Sequence, residues 1–339
     1  MGLGFGLLSA QLRSEDSDWQ RAYRDTIDTA VRAEALGFDS VWTTEHHFVD
    51  DGYMPSLLAV SAAIAAATSR IEIATGVLLA PLHHPLRLAE DAATVQLLSD
   101  GRLTLGLGLG WSATEYEAFS AEMRTRGRAM DEILSILRKA WSGAVFEHQE
   151  AVYQLPALAV RPTPHRPIPI VIGGGAEAAI RRAGRFADGI FSNAPADRYL
   201  TQVGWAREEI DGSGGSVDDF RWLHYTVLYP CEDSDAGWER LRPHLWQMSW
   251  KYLDMEASAS RTGNPPEAPP LSREQELRLR ERAVLVGTPD EIVSRLLEVR
   301  RLSGVDTRFV ARSFFHTMQR NEQDELMERL ATEVAPHLP

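Results

Sequence analysis

Apolar residues along this chain follow two alternating patterns. Short uninterrupted apolar runs read as buried strands, and longer segments with apolar positions three and four apart read as helices. Leu3–Leu8 is short, apolar and punctuated by glycine, and is the first predicted strand. Trp19–Leu36 follows as a helix, with Ile27, Ala30, Val31 and Ala35 at helical spacing and Gly37 where it would end. Phe38–Thr43 is the second strand. Pro55-Ser56 opens an alanine-rich helix to Thr68, apolar all round and therefore buried on several sides. Ile71–Val77 is the third strand; the helix from Pro85 puts Leu88, Ala92, Val95 and Leu98 on one face. Ser99-Asp100-Gly101 turns the chain into the fourth strand, Leu103–Leu109.

The alternation continues. Arg128–Trp141 reads as a helix, Ile168–Ile172 as strand five and Ala176–Phe186 as its helix. Asp188–Ser192 is strand six, with a helix near Ala196–Ile210 and a polar loop over Asp211–Asp219. Arg221–Leu228 is strand seven, Pro289–Arg301 a helix, Thr307–Arg312 strand eight and Asn321–Val334 the closing helix. Apolar, mostly non-alternating strands between helices predict a parallel sheet covered on its outside. Eight such units predict an α/β protein, a TIM-like (β/α)8 barrel of roughly 250 residues plus insertions. An open doubly wound sheet is the rival arrangement.

The clear interruption is Pro230–Arg282, between strand seven and its helix. It holds Trp238, Trp246, Trp250, Tyr252 and the stretch GNPPEAPP. The tryptophan-rich part reads as helical; the proline-rich part cannot be a regular helix or a central strand. Residues 1–339 are thus one barrel domain, with insertion 230–282 over the C-terminal face as a lid or substrate wall. A surface excursion or a subunit contact is the alternative.

Composition narrows the class. Apolar content of 44% and charged content of 24% are ordinary for a soluble globular protein. A net charge of −13 argues against a nucleic-acid or anionic-membrane partner. The lone Cys231 excludes an internal disulfide and any multi-thiolate metal site, and suits a reducing setting. No signal peptide is evident at the N-terminus, and the eleven-residue apolar run Leu57–Ala67 is too short to span a bilayer. The expectation is a cytoplasmic protein.

Four stretches hold candidate chemistry. Phe38–Phe48, FDSVWTTEHHF, begins as a strand and ends in Glu45, His46 and His47, the densest group of proton-transfer side chains in the chain. Adjacent strand residues face opposite ways, so one histidine can enter a pocket while the other packs. Two satisfied structural histidines are the plain alternative, and a metal site lacks the His-x-His pattern. His83-His84-Pro85 reads as the turn entering a helix. Gly106–Trp111, GLGLGW, would let a flat ligand approach the backbone at Gly108 and Leu109, without being a dinucleotide fingerprint. Gly173-Gly174-Gly175 at the junction of strand five and its helix offers an anion site, or only a tight turn, with Ser192 ending the neighbouring strand. Thr75, Gly76 and Val77 end strand three with small residues that leave room for a ring system.

Together these stretches resemble the bacterial luciferase-like monooxygenase family. The likeness runs through GFDSVWTTEHHF, IEIATGVLLAPLHHPLRLAEDAATVQLLSDGRLTLGLGLGW, EYEAFS, RGRAMDEILSILRKAW, PIPIVIGGG, GRFADGIF, VGTPDEIVSRL and RFVARSFF, nearly the whole chain outside 230–282. It implies a TIM-like barrel binding FMN, or in one branch coenzyme F-420, at its C-terminal mouth. His46 stands where luciferase has its catalytic histidine, and Glu45 would orient it. Thr75, Gly76 and Val77 match the bulge under the isoalloxazine, with a non-prolyl cis peptide at Gly76–Val77. Gly174 and Gly175 fall on the phosphate-binding turn. Leu109 stands where luciferase has a phosphate-binding arginine, so backbone N–H groups or another arginine must neutralise the phosphate. Trp42, Trp111 and Trp246 are expected to line a dry substrate wall. The implied activity is that of a two-component monooxygenase: a separate reductase supplies reduced FMN, O2 adds to give a flavin hydroperoxide, and one oxygen atom enters a small organic substrate. F-420-dependent hydride transfer and a non-catalytic partner subunit are the alternatives. The resemblance also implies a homodimer packed through the early helices.

Overall fold

The structure, a computed structural model, describes residues 2–13, 16–281 and 284–339. Arg282, the expected end of the insertion, lies outside the described residues. Eight parallel strands close on themselves. Strand one, Leu3–Leu8, pairs strand two, Ser40–Thr43, which pairs strand three, Glu72–Thr75. Strand four, Leu103–Gly108, joins strand three to strand five, Ile170–Gly173. Strand six, Gly189–Ser192, leads to strand seven, Arg221–Pro230. Strand eight, Thr307–Arg312, pairs both strand seven and strand one, which completes the barrel.

Two apolar layers follow from the strand pattern. Leu7, Trp42, Ala74, Val171, Phe191, Leu223 and Val310 pack inside the barrel. The opposite strand faces meet the surrounding helices in the larger core. Every residue of strands one and two is buried, as continuous apolar runs require of a sheet covered on both faces.

Several elements escape periodicity. A hairpin of Phe146–Gln149 and Gln154–Leu158 follows the helix Arg126–Trp141. Glu132 fastens it, meeting His148 Nε2 at 3.3 Å and accepting the N–H groups of Val152 and Tyr153. Strand three is broken at Thr75; the chain passes a cis Gly76–Val77 peptide and resumes pairing with strand four at Leu78–Leu79. The supposed loop at Asp211 is helical to Ser213, where Gly214 closes it with φ of 72°.

The insertion is mostly ordered secondary structure. A 25-residue helix, Ser234–Ser258, tolerates Pro243 within it. A proline-rich stretch and the helix Arg273–Arg280 follow. Val284–Gly287 then adds a short strand beside the outer half of strand seven. A buried ion cluster fixes the long helix to the loop after strand two. Lys251 Nζ pairs with Asp50 and lies 3.7 Å from Asp51 and 3.4 Å from Asp254. Arg261 joins Asp50 and Asp254 from the far side.

Glu34 ties the first helix to the entrance of strand three. Its carboxylate accepts the N–H groups of Ser69, Arg70 and Ile71 at 2.6–3.1 Å. Burial opposes its ionisation, but the three donors outweigh that and bring its pKa down to about 2. Its stabilisation is therefore present above the ordinary carboxylate range and is lost as the pH falls toward 2. The stability gap between wild type and Glu34→Gln, followed by urea unfolding, is expected to narrow steadily from pH 6 to pH 3. A constant gap would refute the assignment.

Candidate active site

The C-terminal ends of the strands open into a cleft of about 470 Å³. Its position matches that of barrel active sites in general. Each wall can be traced to a local cause.

His46 leaves the end of strand two on a loop held by backbone bonds. Thr44 N–H donates to Leu8, His46 N–H to Met54, and Met54 N–H to Ser9. The His46 ring is buried in an aromatic box, 4.9 Å from Tyr53, 5.4 Å from Tyr252 and 6.0 Å from Trp111, all at steep angles. Its Nδ1 lies 3.1 Å from Glu115 Oε1. The same oxygen accepts the His47 N–H at 2.8 Å. Glu115 is delivered by a short helix, Ala113–Ala118, whose N-cap Ser112 accepts the Glu115 N–H. A carboxylate at Nδ1 favours the tautomer protonated there, which leaves Nε2 as an acceptor toward the cleft.

Glu45 does not orient His46. Its carboxylate turns away to His47 Nε2 at 2.7 Å, His83 Nε2 at 3.2 Å and the Leu79 N–H at 3.1 Å. Burial opposes its ionisation, but the two imidazoles outweigh that and hold it below the usual carboxylate range. Both histidines lie beyond the end of strand two, and the loop sends them to different sides. His46 faces the cleft, and His47 packs on Glu45 and on Phe119 at 4.7 Å. His84 accepts the Leu86 N–H and starts the next helix.

The floor is built around Val77. A Cβ at Gly108 would sit 2.5 Å from Val77 Cγ2, and one at Gly173 would sit 2.5 Å from Val77 Cγ1. Glycine at the ends of strands four and five is what admits the valine between them. A Cβ at Gly76 would come within 3.0 Å of Phe191, Leu7 and Trp42, the top of the interior layer.

The far end is polar. Gly174 has φ of 146°, which side chains rarely adopt. Ala176 precedes the helix Glu177–Phe186 without any side-chain cap, so the helix start keeps unpaired N–H donors. Arg126 also lines the cleft, and its Nη1 is buried with no hydrogen-bond partner. A flat floor, an uncapped helix start and an orphaned guanidinium donor suit a flat ligand carrying a phosphate. Gly108, Leu109, Gly173, Gly174, Gly175 and Arg126 would hold such a flavin.

Four expected site residues stand elsewhere. Trp42 lies inside the barrel below the cleft, stacked on Phe191 at 4.2 Å and bonded to Ser40 Oγ. Thr75 is fully buried and laces strands three and four by donating to Gly106 O and accepting its N–H. Ser192 donates to Gln202 Oε1 at 2.6 Å, and Gln202 Nε2 in turn holds the Gly175 carbonyl at 3.2 Å, so Ser192 lies one residue behind the turn. Trp246 donates to the Pro269 carbonyl at 2.6 Å and borders a separate groove beside the prolines. Trp111 does line the cleft. Tyr252, one of the insertion's aromatics expected as wall, also lines the cleft, and Glu115, Arg126, Tyr225 and Arg312 complete the site without having been expected from sequence.

Among the described residues, no helix is long and apolar enough to cross a membrane. Residues 4–307 match the family model described as luciferase-like monooxygenase. An F420-dependent glucose-6-phosphate dehydrogenase of Microbacterium testaceum is 27% identical, over 93% of this chain and 93% of its own. Monooxygenase RslO1 from Streptomyces bottropensis superposes with a TM-score of 0.82 at 24% identity, covering 100% of both chains. The oxygenating constituent of 3,6-diketocamphane monooxygenase from Pseudomonas putida, solved with FMN, gives 0.75 at 18% identity, over 99% of this chain and 98% of that one. At these identities the two structural likenesses speak to the fold.

Proposed function

The chain belongs to the luciferase-like monooxygenase family, and from that premise we propose a two-component monooxygenase using reduced FMN and O2. The observation that carries the reading is His46, held at Nδ1 by Glu115 and open at Nε2 over a glycine floor that ends in a phosphate-sized polar recess. Reduced FMN bound there would supply two electrons and two protons, so that one atom of O2 enters an organic substrate and the other leaves as water. The chain's own part is to seat the ring on Val77, meet the phosphate with Arg126 and the helix start, keep water out with Tyr53, Trp111 and Tyr252, and move a proton at His46 Nε2. We take the wall formed by the insertion as fixed rather than mobile, because Lys251 is locked to Asp50 beneath it. A separate flavin reductase and a homodimer belong to the same reading; exposed Trp19 and Val31 on the first helix are available for self-association.

A second reading is hydride transfer from reduced F-420, without oxygen chemistry. It is supported by the relative from Microbacterium testaceum. A silent partner subunit is disfavoured, since it would have no use for a histidine held by a buried carboxylate. The deciding experiment supplies reduced FMN under ¹⁸O2 with a panel of organic substrates, and reduced F-420 anaerobically. Incorporation of ¹⁸O supports the proposal. Consumption of F-420 without oxygen, glucose 6-phosphate included among the donors, would replace it with the second reading.

Arg126→Ala provides a separate check. It should weaken FMN by about ten- to a hundredfold while leaving riboflavin unchanged, since a hydrogen bond to a charged group contributes about 1.5–3 kcal/mol. Equal losses for both ligands in fluorescence titration would remove Arg126 from the phosphate site.

A further inference from the structure

Two cations meet the long helix of the insertion, Lys251 fully buried and Arg312 half-buried, and they are treated differently. Lys251 has Asp50, Asp51 and Asp254 around it. Arg312 has no acid. It ends strand eight inside the cleft, donates through Nη2 to Tyr252 Oη at 3.2 Å, and lies over the Tyr225 and Tyr252 rings at 6.0 and 5.7 Å. Among the described residues no carboxylate stands within ion-pair distance of Arg312, and the groups around it are the phenols of Tyr225, Tyr252 and Tyr53. Those phenols are poor counter-ions. Burial pushes Tyr225 up to about 12 and Tyr53 well above its ordinary range, so both stay neutral at physiological pH. A guanidinium partly withdrawn from water is stabilised when something compensates its charge, and ring faces do so in part.

Its location separates it from the phosphate recess. Strand eight lies across the closed barrel from strand four, so Arg312 faces the opposite wall from Gly108. It shares Tyr252 with His46, which places it beside the proton-handling group. Beside it is a second chamber of about 380 Å³, whose wall combines Val227, Leu245, Met248 and Leu279 with the charged Arg278 and Glu281. Arg312 and Tyr225 border both spaces.

We propose that the substrate is an amphipathic organic anion, its acidic group held by Arg312 and its apolar body lodged in the chamber beyond Tyr225. The inference deepens the reading of the cleft as an oxidoreductase site and rests on it for the word substrate. Binding itself requires no turnover. The test is calorimetric titration of the purified full-length protein with octanoate, 1-octanol and acetate. Octanoate should bind at least about tenfold more tightly than either: the alcohol lacks the charge, and acetate lacks the body. Arg312→Met should abolish the preference for octanoate over 1-octanol, and Arg312→Lys should keep part of it. Met248→Trp, which fills the chamber, should weaken octanoate and leave acetate unchanged. FMN affinity should be the same in all three variants. Equal binding of octanoate and 1-octanol by the wild type overturns the proposal, with no variant needed. So does loss of FMN affinity in Arg312→Met with octanoate unaffected, which would assign the arginine to the cofactor. A failed ¹⁸O experiment leaves this result standing, so the two ideas fail separately.

Discussion

His46→Ala should lower kcat by about 10²–10⁴-fold, the range for removing a positioned general acid or base, while FMN affinity stays within about threefold. Geometry separates the two readouts. The floor is set by Val77 between Gly108 and Gly173, and the proposed phosphate end by Arg126 and the helix after Gly175. Neither depends on the imidazole. Glu115 touches the histidine rather than the cleft centre, so Glu115→Gln tests a positioning role. It should cost less in kcat than His46→Ala and displace the pH–rate profile, because the neutral amide no longer favours protonation at Nδ1. An unchanged kcat in His46→Ala, or a matching collapse of FMN binding, would reject the assignment.

Lys251→Met should destabilise the protein by about 3–5 kcal/mol near neutral pH, the usual result of leaving buried charge uncompensated. Asp50 and Asp254 would then share Arg261, and Asp51 would keep only the neutral donors Gln11 Nε2 and the Tyr53 N–H. Burial already raises the Asp51 pKa, and Lys251 is the strongest influence against it, ahead of the hydrogen bonds from Gln11 and Tyr53. Ionised Asp51 thus costs stability in the fold, and more so without the lysine. The sign follows: the loss should be full above the aspartate range and shrink as the pH falls and the carboxyls protonate. Urea unfolding at pH 7 and pH 4 would measure it. A loss below about 1 kcal/mol at pH 7 would mean that the cluster is dispensable. Because Asp50 and Asp51 sit on the loop that presents His46 and Tyr53, activity should fall with stability.

The barrel was legible because buried strands and covering helices leave different periods in the sequence. Leu3–Leu8 and Thr307–Arg312 have the expected bounds, and they are neighbours in the closed sheet. Depth along a strand leaves no such mark. Trp42 and Thr75 have the right composition and the right strand, yet both lie below the mouth, one in the interior layer and one between strands. Glu115 had a local signal, since Ser112 three residues earlier makes an N-cap pattern. The pattern predicts a helix start; only the fold brings that carboxylate 69 residues back to His46. Arg312 and Tyr252 meet across 60 residues, and Arg126 lines the same cleft as a turn that follows a hairpin no periodicity announced. Long-range pairs of this kind are products of topology.

The seating of Val77 has an evolutionary corollary. Positions 77, 108 and 173 behave as one volume divided among three residues, because both methyl groups of the valine occupy space that a Cβ on either glycine would claim. Substitutions there should show strong sign epistasis. Gly108→Ala alone should be deleterious, yet tolerated once Val77 is reduced to alanine. Homologous sequences should accordingly trade bulk among these sites rather than vary each independently. Laboratory evolution of substrate range would then find its accessible single steps at Trp111, Tyr225 and Tyr252, and reach the floor only through paired changes.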